Sequence, residues 1–351
     1  MQLGIFCFAG RKLFKLTCCS AQIQTGTFES LAFEWQNMIQ ERLESTFFDQ
    51  QVWHKVWWSE FGNDFQLKIL AAYSDSGSVE LIAPLMVDGN EISFLGSTDL
   101  VDYHDFLFKE PSDSNCIQLL MEVIHGMRGI SKISLESLPE SSSTIILFSS
   151  YAQQLGWQVE VAQEDVAPRI ELPSTWDDYM TNLRKKDRHE LRRKFRRLKQ
   201  AGDVRQVELI SPDDVENAMG DFIRLHRMST AGKEQFMTGQ RERFFRNVAV
   251  ELAKQGLTRL CFLEVNNERV ATSLSFVCTG VRYLYNSGYN PAHSNLSVGL
   301  LNHALAIKSS IESGHRVFDF MRGSEAYKYH LGGIDRQICA LTAFRQSDSM
   351  N

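Results

Sequence analysis

The stretch from Thr258 to Gly288, TRLCFLEVNNERVATSLSFVCTGVRYLYNSG, predicts three neighbouring strands of one sheet. Apolar and polar residues alternate along three segments, a period that is typical of half-buried strands. Two short turns separate the segments, Asn266-Asn267 and Thr279-Gly280, and such dipeptides favour the tight turns of β-hairpins. The stretch therefore predicts an antiparallel meander.

An earlier stretch has the same layout. From Leu67 to Gly96 the chain reads LKILAAYSDSGSVELIAPLMVDGNEISFLG, and it can be laid over the later stretch so that Gly89 falls on Gly280. Each meander is followed by a polar loop, a long amphipathic helix and a short β-rich segment. Two strand-strand-strand-helix-strand units predict a duplicated, mixed α/β fold. Chance similarity between two generic meanders is the alternative.

The repeat also suggests a domain division. A strand, a charged turn and two prolines meet in VAQEDVAPRIELP, over 161–173, where the chain is expected to pass from one unit to the next. The predicted division is an N-terminal extension over 1–25, a first domain over 26–165 and a second domain over 166–346. The second domain is expected to carry a basic helix over 183–200.

Composition favours a soluble, cytoplasmic protein. The 351 residues are 43% hydrophobic and 23% charged, as in globular proteins, and the net charge of -6 argues against DNA as a partner. The seven cysteines include no CxxC pair, which favours reduced thiols over disulfides or a metal site. Arg11 and Lys12 interrupt the apolar N-terminal run, so neither a signal peptide nor a transmembrane segment is expected.

A strongly basic segment lies between the two units. Ten of the sixteen residues over 184–199 are Lys or Arg, and arginines recur at every fourth position, so they share one face of a helix. This face can be solvated and partly neutralised by Asp187 and Glu190. Alternatively, Arg188 and Arg192 contact the phosphates of a nucleotide-linked substrate, a cofactor or an RNA, because guanidinium matches phosphate geometry.

A polar loop after the second meander leads into a helix that is expected to begin near Ser297. The backbone N–H groups at a helix start have no internal partners and lie at the positive end of the helix dipole, so they can hold a pyrophosphate. A simple N-cap with close packing is the alternative. The candidate phosphate-binding residues are Ser294, Asn295, Ser297, Val298, Gly299 and Leu300.

The stretch from Val317 to Gly333, VFDFMRGSEAYKYHLGG, places many polar and aromatic groups directly after a strand, which is typical of the rim of a site. Asp319 lies between two phenylalanines on that strand. An acidic group beside apolar walls can have a raised pKa suited to a general base. It can equally pair with Arg322 or Lys328 and hold the rim in shape.

These motifs together resemble the GNAT acyltransferases, and within them the CelD-like acetyltransferases associated with cellulose and exopolysaccharide synthesis. The resemblance covers residues 30–344, and its most specific parts are VDYHD at 101–105 and FDFMRGSEAYKYHLGG at 318–333. This branch is similar in architecture to the FemAB transferases, which carry two GNAT-like halves and move amino acids from aminoacyl-tRNA onto cell-wall precursors. The resemblance implies an α/β chain of two tandem GNAT-like domains, each a mostly antiparallel twisted sheet flanked by helices.

The resemblance also implies roles for residues. Acyl-CoA would bind at the helix start in SNLSVGLL, although its single glycine departs from the Gln/Arg-x-x-Gly-x-Gly/Ala turn of many GNAT enzymes. Tyr327 would be the general acid near the sulfur, unless its ring simply packs. Asp319 is the first choice and Asp102 the second choice for general base. The expected acceptor-binding residues are Tyr103, Asp105, Arg188, Arg192, Tyr285, Arg322 and Lys328.

The expected function is N- or O-transfer of an acetyl or other acyl group from acyl-CoA to a sugar- or cell-envelope-linked acceptor. The acceptor would attack directly in a ternary complex, without a metal, and polysaccharide-synthesis machinery is the expected partner. One alternative is a FemAB-like, aminoacyl-tRNA-dependent transferase. The other is a non-catalytic GNAT-like partner in polysaccharide biosynthesis, suggested by the single-glycine loop.

Overall fold

The computed structural model describes residues 22–42, 45–97, 99–109 and 114–346, and these contain fourteen strands and eleven α-helices. The strands are β1 (Gln22–Gly26), β2 (Gln66–Tyr73), β3 (Val79–Asp88), β4 (Glu91–Phe94), β5 (Leu107–Phe108), β6 (Lys132–Pro139), β7 (Trp157–Val166), β8 (Arg169–Glu171), β9 (Val204–Leu209), β10 (Thr258–Val265), β11 (Glu268–Cys278), β12 (Val281–Tyr289), β13 (Val317–Asp319) and β14 (Gln337–Arg345).

The helices are α1 (Ala32–Glu41), α2 (Gln51–Phe61), α3 (Ser114–Gly126), α4 (Ser143–Gln154), α5 (Trp176–Asn182), α6 (Lys185–Gln200), α7 (Pro212–Ser229), α8 (Ala231–Phe236), α9 (Gly239–Lys254), α10 (Val298–Glu312) and α11 (Ala326–His330). The expected basic helix over 183–200 corresponds to α6. Among the described helices, none combines the length and the apolar character that crossing a bilayer requires.

The strands form two sheets. The first has the order β1-β2-β3-β4-β6-β14-β7, with β5 beside β3, and the second has the order β8-β13-β12-β11-β10-β9. Neighbouring strands are antiparallel except for β4 with β6 and β12 with β13, which are parallel. The predicted fold class of two mostly antiparallel sheets flanked by helices is therefore confirmed.

Both predicted meanders form, as β2-β3-β4 and β10-β11-β12. Asn266 and Asn267 both adopt positive φ, at 52° and 65°, the conformation that a two-residue hairpin turn with the correct twist requires. Gly288 on β12 is required by close packing, because a Cβ there would lie 2.4 Å from the backbone nitrogen of His226. Helix α7 can pack this closely on β12 only over a glycine.

The second half contributes a strand to the sheet of the first half. β14 inserts between β6 and β7 of the first sheet, whereas β8 joins β13 at the edge of the second. The predicted boundary between residues 165 and 166 falls at the end of β7. It assigns β14 to the second domain, although β14 belongs to the sheet of the first. Residues 22–25, assigned to an extension, belong to β1, and residues 1–21 lie outside the described residues. The domain division stays a prediction.

The halves also share a core. Helix α2 of the first half packs against α9 of the second, and the buried Trp53 ring lies 5.2 Å from Phe244 and 5.3 Å from Tyr285, between centroids. Burying large aromatic rings from both halves in one cluster stabilises their relative position. The walls of a cleft between the halves are therefore fixed relative to each other by this shared core.

The parallel pair β12–β13 opens such a cleft. Val281–Tyr283 pair with Val317–Asp319, after which the two strands separate while β12 continues to Tyr289. On its other side, β12 pairs with β11 and carries one extra residue. Leu284 and Asn286 face consecutive residues of β11, so Tyr285 has no partner in the pairing. This bulge changes the direction of β12 where the gap begins.

Candidate active site

The gap between β12 and β13 forms a cleft of about 520 Å³. One wall is the free edge of β12, a second is the segment from Phe320 to Lys328, and a third comes from the first half through Asp102 and Asp165. Backbone groups on an unpaired strand edge can bond to an extended ligand. The cleft therefore combines free backbone groups with ionisable side chains from both halves.

A hydrogen bond joins the first-half loop to the end of β13. The Tyr103 hydroxyl donates to Asp319 at 2.9 Å from Oδ2 and 3.1 Å from Oδ1, and the Met321 amide donates to Oδ1 at 2.7 Å. The expectation that Asp319 pairs with Arg322 or Lys328 is wrong, because Tyr103 is its side-chain partner. The two predicted loops do come together, although 216 residues separate Tyr103 from Asp319.

Two carboxyl groups in this region have shifted pKa values. Burial raises the pKa of Asp319 to about 6, while the Met321 amide and the Tyr103 hydroxyl oppose the rise. Burial also raises the pKa of Asp102, and the Asp165 carboxylate adds to it. Asp102 is among the residues that line the cleft and Asp319 is not, so Asp102 has the better access to a substrate.

Arg322 bridges the halves. Its amide donates to Asp102 Oδ2 at 3.0 Å, its Nη1 lies 2.6 Å from Glu164 Oε1, and its Nη2 donates to Ser137 Oγ. Ser137 is held in turn, because its amide donates to Glu164 Oε2 at 2.8 Å. Glu164 and Ser137 thus occupy the two Nη atoms of this guanidinium, and Asp102 Oδ1 lies 4.0 Å from its Nε, so Arg322 stabilises the cleft wall.

Lys328 holds the turn after β13. Its buried ammonium donates to the carbonyls of Met321, Arg322 and Gly323 at 2.7–3.0 Å, and Glu325 Oε2 lies 2.9 Å away. Met321 has a positive φ of 63°, which strains a residue with a side chain, whereas Gly323 adopts its φ of 107° without strain, so the turn needs such support at Met321. The Lys328 ammonium was predicted to orient an acceptor, but it is already hydrogen-bonded to the carbonyls of this turn.

Two tyrosines line the cleft. Tyr327, on the short helix α11, stacks on His303 with 5.2 Å between ring centroids, and burial raises its pKa. It therefore holds its proton at neutral pH and can donate a hydrogen bond to a ligand. Tyr285, at the β12 bulge, donates its hydroxyl to the Leu100 carbonyl at 2.9 Å, which positions the ring as a wall of the cleft.

The predicted phosphate loop gains two cations from α6. Ser297 precedes α10 in the left-handed conformation, at φ of 57°, and its hydroxyl lies 2.9 Å from Lys194 Nζ and 3.1 Å from Arg197 Nη2. Gly299 packs closely on Tyr289, because a Cβ there would lie 3.2 Å from the Tyr289 ring. The side chain of Val298 is buried, so this residue can offer only its amide to a ligand.

The other predicted ligands lie elsewhere. Arg188 donates to the Thr181 carbonyl at 2.8 Å, and Arg192 is exposed, so neither lines the cleft. Asp105 accepts from the Thr144 hydroxyl at 2.6 Å within the first half. Ser294 and Asn295 are exposed on the loop before α10 and Leu300 is partly buried in its first turn.

Sequence reasoning missed several cleft residues. Lys233 on α8 donates to the Ser287 carbonyl on β12, and burial lowers its pKa to about 8. His226 on α7 is buried at the same cleft, and burial lowers its pKa to about 3, so it is neutral. Both residues lie in helices without a motif, and only the packing of α7 and α8 on β12 brings them to the site.

Residues 185–329 match the model of the acetyltransferase (GNAT) domain, a range that runs from α6 to α11 and includes both the cleft and the phosphate loop. The chain contains a GNAT acetyltransferase domain. Residues 185–329 are accordingly a GNAT-family acyltransferase domain, and such a domain implies an acyl-CoA substrate. No curated protein matches the chain in sequence.

Solved structures show where else the tandem fold occurs. FemX aligns over 91% of this chain and 96% of its own, with a TM-score of 0.62 and 10% identity. L-PGS from Bacillus licheniformis aligns over 90% and 92%, with a TM-score of 0.56 and 10% identity. A tandem GNAT protein from the clavulanic acid biosynthesis pathway aligns over 94% and 100%, with a TM-score of 0.52 and 12% identity. The predicted tandem GNAT fold is confirmed, whereas the CelD-like branch stays a prediction.

The start of α10 in the GNAT domain fits the diphosphate of an acyl-CoA. The first amides of α10 have no partner within the helix, and Lys194 and Arg197 supply positive charge beside them. Arg197 Nε is buried without a hydrogen-bond partner, so the guanidinium has donor capacity to spare. Two side-chain cations from α6 thus lie beside the single-glycine loop. Among the described residues, no three His, Cys, Asp or Glu side chains are grouped to hold a metal ion.

Proposed function

We propose that the chain transfers an acyl group from acyl-CoA to the amine or hydroxyl of a sugar- or cell-envelope-linked acceptor, by direct attack within the cleft. The observation that carries this proposal is the continuity of the two sites. The open edge of β12 leads from Tyr285 to Tyr289, and the loop after it brings the chain to Ser297, where Lys194 and Arg197 lie. A donor with an anionic end and an extended arm matches that path.

Asp102 is the proposed general base. It lines the cleft, its burial raises its pKa, and the Arg322 amide fixes its Oδ2. A base with a raised pKa accepts a proton from the attacking amine or hydroxyl more readily at neutral pH. The Tyr103–Asp319 pair has a supporting role, because it anchors the loop that carries Asp102 to the end of β13.

Tyr327 is the proposed donor to the leaving sulfur. As the acceptor attacks the thioester carbonyl, the C–S bond breaks and negative charge develops on the sulfur. A protonated tyrosine in a closed cleft can stabilise that charge by a hydrogen bond and pass on a proton. Its stacking on His303 fixes the position of the ring in the cleft wall.

A FemAB-like, aminoacyl-tRNA-dependent transferase is the second candidate. Five cations of α6 support it, since they are exposed and have no acidic partner within the described part of the chain: Lys185, Lys186, Arg192, Arg196 and Lys199. A row of free cations suits a polyanion, and binding through it would weaken steeply with salt. Copurifying RNA that is lost in high salt would favour this candidate over acyl-CoA.

Thermal unfolding with and without acetyl-CoA tests the first candidate. A ligand that binds only the folded state raises the melting temperature, with a stabilisation of about 2.7 kcal/mol at a concentration of one hundred times Kd. We expect a rise of several degrees in the wild type and almost none in the double variant Lys194→Gln, Arg197→Gln. Lys199→Gln, on the exposed side of α6, is the matched control and should keep the full rise. No rise in the wild type with acetyl-CoA or longer acyl-CoAs would refute the proposal.

A further inference from the structure

Lys233 is an amine inside the proposed acyl-transfer cleft. It extends from α8, a short helix between α7 and α9, and its Nζ donates to the Ser287 carbonyl on the free edge of β12. Lys233, Ser287 and Tyr327 all line the same 520 Å³ cleft. An acyl group delivered to Tyr327 along β12 would therefore share a small, walled space with the Lys233 nitrogen.

Lys233 differs from the two other cations of the cleft. Arg322 is paired with Glu164, and Lys328 donates to three backbone carbonyls and contacts Glu325. The Nζ of Lys233 has one hydrogen-bond partner among the described residues, the Ser287 carbonyl. A neutral amine can keep that bond through one N–H and still present its lone pair.

The groups around Lys233 leave it poorly stabilised as a cation. His226 on α7 and His303 on α10 face it and are neutral, since burial lowers the pKa of each to about 3. Glu325 is the acidic group that acts on it, and this carboxylate is shared with Lys328. Burial accordingly lowers the pKa of Lys233 to about 8 from 10.5. At neutral pH its reactive, uncharged fraction is roughly 300 times that of an ordinary lysine.

We propose that Lys233 is a self-acylation site of this enzyme. The inference rests on the proposed acyl-CoA function. The neutral Nζ attacks the thioester carbonyl, an amide C–N bond forms, the thioester C–S bond breaks, and the proton lost by the nitrogen goes to the departing thiolate. No oxidant, metal or further reactant is required.

The product is a modification and not a catalytic intermediate. An amide is a poor acyl donor compared with a thioester, so an acyl group on Lys233 does not pass on to the acceptor. It also removes a positive charge and adds bulk to the cleft. We therefore expect acylated enzyme to turn over more slowly than unmodified enzyme when an acceptor is supplied later.

The test incubates the purified full-length chain with acetyl-CoA and no acceptor, followed by intact mass measurement and peptide mapping. We expect one acetyl group per chain, on Lys233, stable to hydroxylamine as an amide should be. Lys233→Arg should lose this label, while Lys254→Arg keeps it, because Lys254 is exposed on α9 and paired with Glu251. The Lys194→Gln, Arg197→Gln variant should also lose the label, since labelling depends on a bound donor.

The outcomes separate this inference from the proposed function. If acetyl-CoA raises the melting temperature of the wild type but Lys233 is labelled no faster than Lys254, self-acylation is wrong and the acyl-CoA function stands. If acetyl-CoA causes no rise, the proposed function fails and the inference fails with it. The comparison of Lys233 with Lys254 within the wild-type chain, beside a urea-unfolded sample, decides the matter even if Lys233→Arg does not fold.

Discussion

Replacing Lys328 with methionine should destabilise the protein strongly, although the two side chains have nearly the same length. The substitution removes three hydrogen bonds from an ammonium to the carbonyls of Met321, Arg322 and Gly323. Charge-assisted bonds of this kind contribute about 1.5–3 kcal/mol each, or about 4–9 kcal/mol for three. Removing a buried charge recovers part of that sum, because its desolvation cost disappears. We expect a net loss of about 3–5 kcal/mol.

Urea unfolding followed by tryptophan fluorescence measures this loss directly. Lys308→Met is the matched control, since Lys308 is 43% exposed and forms a single 3.6 Å pair with Glu312, which predicts a change below about 0.5 kcal/mol. Glu325→Gln separates the carboxylate from the carbonyls, and its exposed position predicts a small effect. A loss under about 1 kcal/mol in Lys328→Met would refute the argument that this ammonium holds the strained turn.

Three further predictions concern the carboxylates and Tyr327. Asp102→Asn should lower kcat by about 10²–10⁴-fold, measured as coenzyme A release with any acceptor that the wild type uses. Acetyl-CoA should still raise the melting temperature of this variant. An unchanged kcat would exclude Asp102 as the base. Tyr327→Phe should lower kcat by about 10²-fold in the same assay, and an effect on KM alone would make Tyr327 a packing residue. The pKa of Asp319 is about 6 in the folded state and 3.8 in the unfolded chain, so the folded state binds the proton more tightly. Ionising this carboxyl therefore destabilises the fold above pH 6. That stability is regained as the pH falls toward 4. The stability of Asp319→Asn relative to the wild type should therefore be about 2 kcal/mol greater at pH 7.5 than at pH 4.5, and a pH-independent difference would contradict this.

The fold was largely predictable because it depends on local signals. Alternating residues and turn dipeptides such as Asn266-Asn267 mark each strand of the meanders, and these signals act within about thirty residues. The placement of β14 in the first sheet was not predictable in this way. β14 has the same alternation whether it pairs within the second half or, as it does, between β6 and β7, because register and partner are set by the facing sheet.

The site was predictable in its loops but less so in its contacts. The stretches around Tyr103 and Asp319 stood out by composition, yet their hydrogen bond joins residues far apart in sequence. On α6 the sequence favoured the arginine row, whereas Lys194 and Arg197 reach Ser297. Helical periodicity defines faces, and only the packing of α6 against α10 decides which face meets a ligand.

The duplication explains why the first half contributes to a site in the second. Its parallel pair also separates after three residues, where Glu91–Ser93 face Lys132–Ser134. His104 fills that gap, because its amide donates to the Ser137 carbonyl at 2.9 Å, and a Cβ on Gly96 would lie 2.7 Å from its ring. The loop that closes the first gap therefore carries the two residues just before His104, Asp102 and Tyr103, to the second. The five-residue segment 101–105 thus closes the gap in the first half and also forms a wall of the cleft in the second.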